Sequence, residues 1–158
     1  METNSNVATD TPERELVITR IFDAPRALVF KAWTDPEMQL QWMGPRGFTC
    51  KILKSAEAVG DAYRYYMRDP DGGDHWQQGV VREMVEPERL VFTMAWANER
   101  GVATRPETIV RLTFEDLGEK TRLTLHQTGF QTVSARDEHR GGWNSSFDCL
   151  GEYLATAR

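Results

Sequence analysis

From Glu15 to Phe22 the chain alternates, with Leu16, Ile18 and Phe22 on one side and Val17, Thr19 and Ile21 on the other. That period of two predicts a strand. Apolar residues on both sides predict cover on both faces. Asp23-Ala24-Pro25 then opens a short helix, because proline suits a first turn where its missing N–H leaves nothing unbonded. Val29, Ala32 and Trp33 form its apolar stripe. Asp35-Pro36 repeats the signal, with Asp35 as cap, and Trp42-Met43-Gly44-Pro45 ends the second helix. Alternating runs follow at Phe48–Leu53, Tyr63–Arg68, Trp76–Val85, Leu90–Trp96 and Val110–Phe114, and then at Leu123 and Leu125. The turn residues Asp69-Pro70-Asp71-Gly72-Gly73, Glu86-Pro87-Glu88 and Asp116-Leu117-Gly118-Glu119 separate several of them. Turns at hairpin intervals predict a mainly antiparallel sheet. The last segment changes period. Trp143, Phe147, Leu150 and Leu154 recur at helical spacing, with Ser145, Asp148 and Glu152 opposite. Gly141-Gly142 leaves open whether this helix runs back through His139, since each glycine costs roughly 1 kcal/mol there.

The predicted order is strand, two short helices, six further strands and one long helix. Strands twist by about 20–25° per neighbour, so seven do not stay flat. The expectation is an α+β fold in which a curved antiparallel sheet wraps around the long C-terminal helix. A volume is left between them, either filled by side chains or open. Residues 1–13 (METNSNVATDTPE) read as a flexible tail and residues 14–158 as a single domain.

Composition narrows the function classes. The chain has 158 residues, 40% hydrophobic and 27% charged, which is ordinary for a globular domain. A net charge of −5, with no basic block, argues against a nucleic-acid binder. No apolar run approaches the roughly 20 residues of a membrane span, and the N-terminus has no secretion-signal pattern. Two distant thiols, Cys50 and Cys149, make no disulfide framework and read as packing residues of a cytoplasmic protein.

Four segments carry a family resemblance: ITRIFDAPRALVFKAWTDPE, QWMGP, GDAYRYYMRDPDGGDHWQQGVVREMVEPERLVFTMAW and GGWNSSFDCLGEYL. In this order they resemble the helix-grip (START/SRPBCC) superfamily, and within it the group related to the C-terminal domain of the activator of heat shock protein 90 ATPase. The resemblance spans residues 14–157. It implies a sheet gripping the C-terminal helix, commonly with a ligand cavity between them, in a superfamily that binds lipids, hormones, polyketides and other apolar molecules. The cochaperone activity belongs to larger proteins with an additional N-terminal domain, so a chaperone partner is not expected; a homodimer stays open.

Alternation directs Tyr65, Met67, Trp76, Phe92, Met94 and Trp96 towards the helix stripe of Trp143, Phe147 and Leu150, with Trp42 just before the loop that enters the sheet. These ten side chains, with the polar Gln78 and His139, are the candidate binding residues for a hydrophobic or aromatic ligand. They are equally ordinary core material, worth about 1.5–3 kcal/mol each when buried. Only three histidines exist, His75, His126 and His139, none at metal-ligand spacing, so neither a metal nor a cofactor is expected. His75 borders a turn, and His126 faces away from Leu123 and Leu125. Arg64, Glu83 and Arg111 read as outer-face charges. No nucleophile elbow or phosphate loop is present, and no catalytic residue is assigned. A small-molecule-binding domain is the leading expectation. A cyclase- or hydratase-type enzyme would use Tyr65, Gln78 and His139 in the same cavity, and a protein-interaction module is the third reading.

Overall fold

The computed structural model describes residues 12–157. The expected tail therefore lies outside the described residues, except for Pro12 and Glu13 in a short 3₁₀ turn, Pro12–Arg14. The elements are β1 (Leu16–Phe22), α1 (Arg26–Thr34), α2 (Pro36–Trp42), β2 (Thr49–Lys54), β3 (Ala62–Arg68), β4 (Asp74–Val85), β5 (Arg89–Ala97), β6 (Thr108–Asp116), β7 (Thr121–Thr128) and α3 (Val133–Ala157). All seven strands form one antiparallel sheet in the order β1-β7-β6-β5-β4-β3-β2. This is the expected α+β arrangement.

The two short helices start as their sequence dictates. Asp35 accepts the N–H of Glu37 at 2.9 Å, and Pro36 stands in the first turn of α2. Trp33 of α1 and Trp42 of α2 meet edge to face, 4.7 Å between ring centres. Helix α3 closes the core. Its stripe of Trp143, Phe147, Leu150 and Leu154 is buried, with Phe147 edge-on to Phe22 of β1 at 5.9 Å. The helix is continuous through Gly141 and Gly142. Burial of four large side chains, about 1.5–3 kcal/mol each, outweighs the roughly 1 kcal/mol lost at each glycine. Across its outer side, Arg20 binds Asp148 at 2.6 Å and Arg46 binds Glu152 at 2.5 Å.

Two expectations are corrected. Strand β1 is covered on one face only: Leu16, Ile18 and Phe22 are buried, whereas Val17 and Ile21 are more than half exposed. In β4 the inward phase is one residue away from that expected. Met67 pairs with His75, Tyr65 with Gln77 and Tyr63 with Gly79, and Gln77 pairs in turn with Trp96 of β5. His75, Gln77, Gly79 and Val81 therefore face the helix. Trp76 stacks on Tyr66 on the outer face, ring centres 5.3 Å apart. Gln78 is also outside, where it accepts from Arg64 at 2.9 Å and donates to the carbonyl of Gly101 at 2.8 Å. The cause is Gly79. The Tyr63 ring lies across it to donate its hydroxyl to the Thr93 carbonyl at 2.6 Å, and any Cβ at position 79 would collide with that carbonyl and ring.

Candidate functional site

The helix does not fill the sheet's concavity. A cavity of about 600 Å³ lies between the first half of α3, the inner faces of β3–β5 and the α2–β2 connection. Its apolar wall is Met43, Phe48, Met67, Met94, Trp96 and Trp143. Gly142 and Ser146 of α3 also line it, with His139 one turn earlier. Helix α3 thus carries two neighbouring stripes. The bulky one packs into the core; the row of His139, Gly142 and Ser146 leaves room. A Cβ at Gly142 would meet only Pro45, at 3.9 Å. The loop wall is fixed to the helix from outside, where the Arg46 N–H donates to Ser145 Oγ at 2.7 Å.

The polar atoms beside this cavity are largely paired with one another. His139 Nδ1 donates to the Ala135 carbonyl at 2.8 Å, so Nε2 is the nitrogen that accepts the Trp96 indole N–H at 3.0 Å. Burial holds the His139 pKa below its usual range, and protonation would set two N–H donors against each other. The Trp143 indole donates to Gln127 Oε1 at 2.8 Å, and Gln127 Nε2 donates to Thr108 Oγ1 at 2.8 Å. Both tryptophans are thereby held in place where they line the hollow. At the mouth Arg105 and Glu138 pair at 3.3 Å. His75 meets Asp69 at 2.8 Å, and its ring lies near Phe48 and Trp96.

A smaller chamber of about 40 Å³ lies deeper and shares Met43, Gln77 and Trp143 with the main cavity. Trp33, Tyr63, Tyr65 and Phe92 line it. Burial pushes the Tyr65 hydroxyl well above its ordinary pKa, so it stays protonated. Trp33 Nε1 is, among the described residues, the buried side-chain donor without a partner.

Of the candidate residues, Met67, Met94, Trp96, His139 and Trp143 line the main cavity, and Tyr65 and Phe92 the chamber. Trp76 borders the cavity but turns its ring outwards. Trp42, Phe147 and Leu150 lie in the core behind it; the Trp42 indole donates to the Ala32 carbonyl at 2.9 Å. Gln78, on the opposite face, is not joined with Tyr65 and His139. Sequence reasoning missed His75, Gln77, Phe48 and Met43 as lining residues. The glycine at position 79, beside an aromatic strand, was the available signal for the true phase of β4.

Among the described residues no three His, Cys, Asp or Glu side chains gather in a metal-binding group, and no helix is long and apolar enough to cross a membrane. Burial raises the Cys50 thiol to about 11, as suits a packing residue.

The family model described as Activator of Hsp90 ATPase homolog 1-like protein matches residues 23–155. No curated protein matches the chain. Among solved structures, a crystal structure from Chromobacterium violaceum is 25% identical, with a TM-score of 0.81, over 89% of this chain and 96% of that one. A solution structure from Arthrobacter aurescens is 24% identical, with a TM-score of 0.84, over 96% of this chain and 93% of its own. The AHSA1 protein from Silicibacter pomeroyi is 23% identical, with a TM-score of 0.82, over 91% and 99%.

Proposed function

Since the chain belongs to the family of Activator of Hsp90 ATPase homolog 1-like proteins, within the helix-grip superfamily, we propose that it is a cytoplasmic binding domain for a hydrophobic or aromatic small molecule. The observation that carries this reading is the cavity of about 600 Å³ between α3 and the sheet. Ligand sites of drug-sized molecules run from about 300 to 1,000 Å³, mostly apolar with a few placed polar groups. Met43, Met67 and Met94 give an adaptable wall, because an unbranched thioether repacks around different shapes. Trp96 and Trp143 give flat faces for aromatic contact, and their N–H groups are already bonded. Gln77 and Ser146 are the polar groups that would orient the ligand.

A protein-docking role has less support. Of the large exposed apolar side chains in the described residues, only Val17 and Ile21 share one face of one element, β1; the others, among them Leu53, Val59, Val102, Leu117 and Val133, come from separate elements and loops.

The test is a thermal-shift screen of fatty acids, flavonoids and polyketide-like aromatics, followed by native mass spectrometry. One class is expected to raise the melting temperature and bind one molecule per chain. A folded Gly142→Phe variant, which fills the hollow from the helix side, should lose that response. Equal shifts in both proteins would place the ligand elsewhere and overturn the proposal.

A further inference from the structure

The turn between β3 and β4 is built around one carboxylate. Asp69 Oδ1 accepts the backbone N–H groups of Asp71 and Gly73, both at 2.9 Å. A Cβ at Gly73 would strike the Asp69 carboxylate, so glycine is what lets the turn close on it. The other oxygen, Oδ2, lies 2.8 Å from His75 Nε2. Because β4 runs one residue out of the expected phase, the His75 ring comes inside the sheet. It lines the cavity, with ring centres 5.9 Å from Phe48 and 6.2 Å from Trp96. Its Nδ1 has no hydrogen-bond partner among the described residues.

We propose that Asp69 and His75 are a general acid–base pair acting on a carbonyl compound held in the cavity. This rests on the reading of that cavity as a small-molecule site. The carboxylate takes the Nε2–H, which fixes the tautomer and leaves the Nδ1 lone pair free to accept a proton. Hydrogen bonds from His75 and from the Gly73 backbone hold the Asp69 carboxyl below its usual pKa, so the carboxylate stays ionised beside an imidazolium. His139 cannot take this role, as both its nitrogens are engaged. The other charged groups lining the cavity are Asp74, which accepts the Tyr66 hydroxyl at 2.5 Å, and the Arg105–Glu138 pair.

The step balances without a co-reactant. In a ligand with a carbon–carbon double bond β,γ to its carbonyl, Nδ1 takes a proton from the carbon between the two groups, and the electron pair of that bond moves onto oxygen as a dienolate. The imidazolium then returns the proton to a second carbon of the same molecule. The net reaction is an isomerisation that moves one proton and one double bond. Nothing is oxidised or reduced.

The probe is 5-nitrobenzisoxazole, an apolar aromatic whose ring C–H loses its proton to a base as the N–O bond breaks, giving a coloured phenolate. Its binding is followed separately by quenching of tryptophan fluorescence. The full chain should bind it and turn it over with saturation. His75→Ala should lower kcat/KM by about 10²–10⁴-fold, the range of a positioned general base. Asp69→Asn keeps an acceptor for the turn but presents an amide to Nε2. It should reverse the His75 tautomer in ¹⁵N-detected imidazole spectra and slow turnover while binding persists. His75→Gln, which keeps a polar side chain of similar reach, guards against loss of fold. Binding without His75-dependent turnover overturns the acid–base pair and leaves the cavity reading intact. Absence of binding overturns both.

Discussion

At the scale of single residues, His139 shows how one hydrogen bond constrains a charge. Its ring is half-buried, Nδ1 is committed to the Ala135 carbonyl and Nε2 to the Trp96 indole. The neutral ring satisfies both partners; the cation satisfies only one. Desolvation of the ring holds its folded pKa below the ordinary 6.5, while the unfolded chain titrates normally. The unfolded state takes up the proton first as pH falls, so this residue's share of stability is complete above about pH 6.5 and declines below it until the native ring protonates. Urea denaturation between about pH 7.5 and 5 should show a loss of stability in the wild type that is smaller in His139→Gln. Parallel curves for the two proteins would contradict the lowered pKa of His139. The helical phase that brings His139 to the cavity was legible in the sequence, because it sits four residues before Trp143. Its lock onto Trp96 was not, because a bond across 43 positions has no local signature.

Elements were legible where burial and periodicity agree. Strands β3 and β5 carry Tyr65, Met67, Phe92 and Met94 on their inner faces, and a period of two reads such faces directly. Strand β4 misleads because its inner face is small and polar, namely His75, Gln77 and Gly79, while its bulky Trp76 stacks outside on Tyr66. Hydrophobicity then points to the wrong side. Strand β1 misleads in another way, since Val17 and Ile21 are strand formers left at the surface. Helix α3 was ambiguous at Gly141-Gly142, and tertiary packing decides for continuity. Nothing lies within 4 Å of a Cβ placed at Gly141. Gly141→Ala should therefore stabilise the protein by about 1 kcal/mol in denaturant titrations. A destabilised variant would mean that the helix needs a glycine there.

At the scale of the whole molecule, the order of strands and helices follows from alternation, turn chemistry and caps, and the four-segment resemblance points to the same α+β fold. The hollow is a different kind of feature. It exists because side-chain volume is missing along His139, Gly142 and Ser146, and because a loop is fixed across α3 by Arg46. A sequence records which side chains are present; whether they meet in space depends on the curvature of seven strands together. The same bulky residues that a packed core would use are divided here between the wall of the cavity and the core behind it.

The most direct measurement is a fluorescence titration with N-phenyl-1-naphthylamine, a neutral probe that brightens in apolar surroundings, on the wild type and on Gly142→Phe. The cavity predicts saturable binding of one probe per wild-type chain and its loss in a variant that remains folded by circular dichroism. Binding of equal strength to both proteins, or none to the wild type, would contradict an open ligand site between α3 and the sheet.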